Sequence, residues 1–132
     1  MKLPREAVAA MVAHARRTAP AECCGVLVGA GDRVIEAVPA KNLSADPNRF
    51  LLDPGTHIAA ERDARGRGLA VVGFYHSHPH SAAQPSPTDI AESSYGEALH
   101  VIVSLAEAEP SLGVFKISGK GATTVPYEVT DA

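Results

Sequence analysis

A chain of 132 residues has the length of one domain, enough to bury roughly two-thirds of its unfolded surface around one core and too short for two. With 45% apolar and 20% charged residues it sits at the globular average, which excludes disordered, collagen-like and membrane-spanning chains. The 15 acidic and 12 basic residues leave a net charge of −3 and are scattered, so no basic patch invites nucleic acid.

Pro4 at a first helical position, with Val8, Met11, Val12 and Ala15 behind it at i, i+3, i+4, i+7 spacing, predicts an N-terminal helix whose Glu6 and Arg16–Arg17 suit the macrodipole. Nothing in the first residues reads as a signal peptide or spanning segment, so the expected compartment is a reducing cytoplasm. The neighbours Cys23 and Cys24 cannot staple distant segments and lack Cys-x-x-Cys spacing; small buried hydrophobes on opposite strand faces is the expected role. The apolar run Cys23 to Val28 and the run Arg33 to Val38, joined across Gly29-Ala30-Gly31, predict two strands, and 39–48 a loop. Arg49 to Leu52 is a short strand candidate, and Asp53-Pro54 opens a helix to about Arg65 with Gly66 and Gly68 beyond it. Leu69 to His78 predicts a strand, 79–85 a loop that could cover a site, and Ser86-Pro87-Thr88-Asp89 a helix start running towards Tyr95-Gly96. Leu99 to Leu105, Leu112 to Ser118 and Thr123 to Val129 are three further strands. Strands outnumber helices without regular alternation and no repeat or linker breaks the chain, so the expectation is a single α+β domain over 1–132.

The chemistry concentrates in Gly73-Phe74-Tyr75-His76-Ser77-His78-Pro79 and the Ser86–Asp89 stretch. On a strand, residues two apart share a face, so His76 and His78 project together with Cα atoms roughly 6.5 Å apart, near enough to converge on one ion. Catalytic zinc takes three nitrogen or oxygen donors and leaves a position for water; Asp89 is the best third donor if the helix start folds back over the strand end. Such a site lowers the pKa of its water towards neutrality. Hydrolysis also needs a base that returns a proton to the leaving amine, and Glu22, an acid just ahead of an apolar strand, is the candidate. Each piece has a plainer role: a structural histidine for His14, His57, His80 or His100, a capping box for Ser86-x-x-Asp89, a solvated acid for Glu22.

Together these residues resemble the JAMM (MPN-plus) zinc metallopeptidases, whose signature is a distant Glu, then His-[Ser/Thr]-His-Pro, then Ser-x-x-Asp. Here it reads Glu22, His76-Ser77-His78-Pro79 and Ser86-Pro87-Thr88-Asp89, with Asn42 and Arg49 to Pro54 also similar to the small prokaryotic members. The resemblance implies zinc held by His76, His78 and Asp89, Glu22 as general acid/base, and Ser86 as a hydrogen-bond donor to the developing oxyanion. It implies one JAMM/MPN domain, a mixed, mostly antiparallel twisted sheet flanked by helices in an architecture similar to cytidine deaminases. The implied reaction is hydrolysis of the (iso)peptide bond after the Gly-Gly tail of a ubiquitin-like or sulfur-carrier protein. The chain lacks the long insertions of eukaryotic deubiquitinases, which favours a prokaryotic-type substrate. The alternatives are a catalytically silent scaffold of the same fold and a zinc hydrolase of another small amide; the oligomeric state is left open.

Overall fold

The computed structural model describes residues 1–92 and 98–131. The elements run β1 (Lys2–Pro4), α1 (Arg5–Thr18), β2 (Cys24–Ala30), β3 (Arg33–Ala40), α2 (Pro54–Gly66), β4 (Ala70–His78), α3 (Pro87–Ala91), β5 (Ala98–Ser104), β6 (Ser111–Ser118), β7 (Gly121–Thr124) and β8 (Glu128–Thr130). Among the described residues the strands form one sheet in the order β7-β6-β5-β4-β2-β3-β1-β8. Its centre is the run β3-β2-β4, all antiparallel, with β5 laid parallel against β4.

Strand alternation sorts the core into two faces. Leu27, Tyr75, Val101 and Val103 turn to the α1 face, where they meet Ala7, Met11 and Ala15 of that helix. Cys24, Val26 and Phe74 turn the other way, against Leu52 and Ala60 of the α2 side, and Ile102, Phe115 and Ile117 pack there against Ala83 and Ile90. Cys23 and Cys24 are both buried and free, one on each face. Gly25 stands opposite Tyr75 in the β2–β4 register, and a Cβ there would overlap the Tyr75 ring. That close approach leaves the phenol free to reach His14 across the core, Oη to Nδ1 at 2.8 Å.

Four expectations need correction. Arg49 to Leu52 is not a strand: only an isolated bridge joins Asn42 and Leu52, because the segment leaves the sheet and hangs on side-chain hydrogen bonds. The single strand expected over Thr123 to Val129 is two, β7 and β8, at opposite edges of the sheet; Pro126 lies between them and offers no N–H to a ladder. Lys2–Pro4 is a short strand paired in parallel with β8, so Pro4 is the residue before α1 rather than its first. Helix α3 is a five-residue turn of helix; the end expected near Tyr95–Gly96 lies outside the described residues.

Candidate metal centre

Strand β4 delivers His76 and His78 to the face that carries Phe74, with 0% and 3% of their surfaces exposed. Their Nε2 atoms lie 3.2 Å apart. Asp89 reaches both from the first turn of α3, its Oδ2 at 3.1 Å from His76 Nε2 and 3.0 Å from His78 Nε2. A tetrahedral zinc with bonds of about 2.0–2.1 Å sets its donor atoms roughly 3.3 Å apart, close to this spacing. The three are a compact group of potential ligands, so two imidazoles and a carboxylate fit a divalent ion on donor chemistry and on distance.

The surroundings prepare these donors. His78 Nδ1 lies 2.9 Å from the Ala82 carbonyl, which can only accept, so a ring proton sits on Nδ1 and Nε2 is the nitrogen turned to the cluster. Burial pushes the His76 imidazole below its ordinary value despite the neighbouring Asp89, keeping it neutral. For His78 burial works in the same direction, but the hydrogen bonds to Asp89 and Ala82 outweigh it and the value rises. Burial alone would raise Asp89; its contacts with His76 and His78 and the Ser86 N–H hold the carboxyl well below the usual carboxylate range. Asp89 also closes a capping box: Ser86 N donates to Asp89 Oδ2 at 2.9 Å and Asp89 N donates to Ser86 Oγ at 2.9 Å. Capping and the metal-type cluster therefore use the same residues, and the cap is what aims the carboxylate.

Glu22 precedes β2, whose Cys24 pairs with His76. Ser77 prolongs that antiparallel register by one residue: its N–H donates to the Cys23 carbonyl at 3.1 Å and its Oγ accepts from Cys23 N–H at 2.8 Å. One step further, Glu22 comes opposite His78. Glu22 is 8% exposed, and its Oε1 is buried without a hydrogen-bond partner among the described residues. Burial raises its carboxyl to about 7, with His78 pulling down and Asp89 and Asp46 pushing up.

Three residues named in the sequence reading carry roles it did not assign them. Phe50 stacks on His76 with ring centroids 4.5 Å apart and planes at 23°. Ser77, between the two histidines, points away from them and clamps β2 to β4 instead. His100 of β5 is 4% exposed, its ring centroid 6.4 Å from that of His76, and both of its nitrogens lack partners among the described residues. Burial, then His76, pushes it down to about 4. His100, His76, Asp89, Phe50 and Ile117 line one cavity behind the cluster. A parallel β4–β5 pairing, which puts His100 beside Phe74, could not be read from the chain order of strands.

The model of prokaryotic homologs of the JAB domain matches residues 4–115. The chain belongs to this family. It is 35% identical over 127 residues to the CysO-cysteine peptidase of Mycobacterium tuberculosis, covering 94% of this chain and 87% of that protein. It is 37% identical over 111 residues to the desampylase of Haloferax volcanii, covering 79% and 80%. The solution structure of protein DSY2949 from Desulfitobacterium hafniense superposes with a TM-score of 0.91 at 32% identity, over 99% of this chain and 93% of that one. As a JAB-family member with peptidase relatives, the chain is a hydrolase of the peptidase type. No helix among the described residues is long and apolar enough to cross a membrane.

Proposed function

We propose that residues 1–132 form one zinc metallopeptidase domain that hydrolyses the peptide or isopeptide bond following the Gly-Gly tail of a ubiquitin-like or sulfur-carrier protein. The observation that carries this reading is the convergence of His76, His78 and Asp89 within hydrogen-bond distances of one another, beside a buried carboxylate with an unpartnered oxygen. The names of relatives, a CysO-cysteine peptidase and a desampylase, support a ubiquitin-like or sulfur-carrier conjugate as substrate. Zinc held by His76, His78 and Asp89 would polarise the scissile carbonyl and acidify the attacking water. Glu22, poised near neutral pH, takes the water proton as a carboxylate and returns it to the leaving amine as an acid. Ser86 Oγ already accepts the Asp89 N–H, so its hydroxyl hydrogen remains to donate to the oxyanion. Phe50 and the Ala82 carbonyl fix the orientations of His76 and His78.

The test is to incubate zinc-loaded protein with carrier proteins ending in Gly-Gly joined to a free amino acid or to a lysine side chain, and to follow release by mass. Release of carrier with a free Gly-Gly end is the expected result. A protein that binds zinc yet cleaves none of these would favour another amide substrate, and one that binds no zinc would favour a scaffold.

A further inference from the structure

We infer that Asn42 is a positioning residue that fixes the base Glu22 and the Phe50 wall of the metal cluster in one register. Asn42 lies just after β3, outside the cluster, and its side chain makes four hydrogen bonds. Nδ2 donates to the Glu22 carbonyl and to the Arg49 carbonyl, both at 3.0 Å. Oδ1 accepts from Ser44 N–H and Leu51 N–H, both at 2.9 Å. Two donors and two lone pairs are the full capacity of a primary amide, and turning it over would set N–H against N–H and carbonyl against carbonyl. The partners lie on both sides of the site. Glu22 supplies one, and Arg49 and Leu51 flank Phe50, the ring that stacks on His76. Among the described residues the backbone of the 42–52 segment is held by the isolated bridge, a Leu43–Leu51 bond, an Arg49–Asp46 turn and one bond from Glu22 N–H to the Pro47 carbonyl, so the amide adds what a longer strand pairing would supply. Only Asn offers two donors and two acceptors at this reach: Asp lacks the donors, and Gln carries the amide one methylene too far. An Arg49–Glu92 hydrogen bond, Nε to Oε1 at 2.8 Å, ties the same segment to the end of α3.

This inference rests on the proposed reaction for its kinetic consequence and on the metal-free fold for its structural one, so two readouts test it. In metal-free protein, Asn42→Ala should speed amide hydrogen exchange at Ser44 and Leu51 at least tenfold, whereas Asn42→Asp, which keeps both acceptors, should leave those two amides protected. In zinc-loaded protein both variants should bind one equivalent of zinc, lower kcat at least tenfold and leave KM within about threefold. In a Glu22→Gln background Asn42→Asp should cost at least threefold less than in wild type, because part of its effect acts through Glu22 and only the Phe50 part remains; a merely structural loss would multiply in full instead. Unchanged exchange in Asn42→Ala, undiminished kcat in Asn42→Asp, or losses that multiply in full would each overturn the inference. A wild type that cleaves no Gly-Gly conjugate would overturn the functional reading, and the exchange data would then decide the anchoring role of Asn42 by themselves. If Asn42→Ala does not fold, Asn42→Asp carries the kinetic arm.

Discussion

Glu22 has to be both buried and uncompensated to serve as a proton shuttle. Its backbone is tied to the 42–52 segment through Asn42 and the Pro47 carbonyl, and the carboxyl rises to about 7 chiefly through lost hydration. In the metal-free protein the folded state therefore holds a proton between the ordinary value of 4.5 and about 7 that the unfolded chain has released. Stability contributed by this group is present below that window and falls as pH rises through it. Melting curves of metal-free wild type and Glu22→Gln should converge near pH 4, with the variant gaining relative stability up to about pH 8; parallel curves at all pH would contradict the burial argument. In the zinc-loaded enzyme Glu22→Gln should retain one metal and lose about 10²–10⁴ in kcat, as expected when general acid–base transfer is removed. Ser86→Ala should lower kcat by an amount corresponding to about 1–3 kcal/mol if the hydroxyl serves the oxyanion, measured by steady-state kinetics at fixed zinc occupancy. The cluster residues were legible because strand periodicity and a capping signature are local properties of a few consecutive residues. His100 and Ser77 were not, since their roles depend on which strand lies beside β4 and which way each side chain faces.

At the scale of elements, the 79–85 loop braces the cluster. Its Ser81 carbonyl accepts from Ser104 Oγ at 2.6 Å, its Ala82 carbonyl accepts from His78 Nδ1–H, and its Ala83 carbonyl sits so close to Gly113 that no Cβ would fit there. Ser104 is buried and is the register partner of His78 on β5, so the strand that supports His78 also holds the loop that orients it. Ser104→Ala should weaken zinc affinity about 10–100-fold, read by competition with a chromophoric chelator, while leaving the fold cooperative. Affinity equal to wild type would mean that Ala82 needs no such anchor. Elements with strong periodicity, α1, α2 and β2 to β6, were readable from sequence to within a few residues. The misread ones are short: β1 pairs with β3 on one side and with β8, from the other end of the chain, on the other, contacts no local pattern announces. The Arg49 to Leu52 run looked like a strand because Phe50, Leu51 and Leu52 follow one another, yet only Leu52 is fully buried and its neighbours are held by a side-chain amide.

The described residues form a two-faced sheet with buried core on both sides: one face is closed by α1, and the other, partly covered by α2 and α3, carries the His76, His78 and Asp89 cluster. This division explains why the class of fold followed from the order of strands and helices, whereas strand adjacency did not. It also explains how three segments far apart in sequence meet: β2 and β4 are neighbours, and Asp89 in the first turn of α3 reaches the histidines at the end of β4. The most direct test of the metal centre is anomalous X-ray scattering at the zinc edge from crystals of the protein purified with zinc. One peak per chain, within bonding distance of His76 Nε2, His78 Nε2 and an Asp89 carboxylate oxygen, is the expected result. No peak at that position, or zinc bound only elsewhere on the chain, would contradict it.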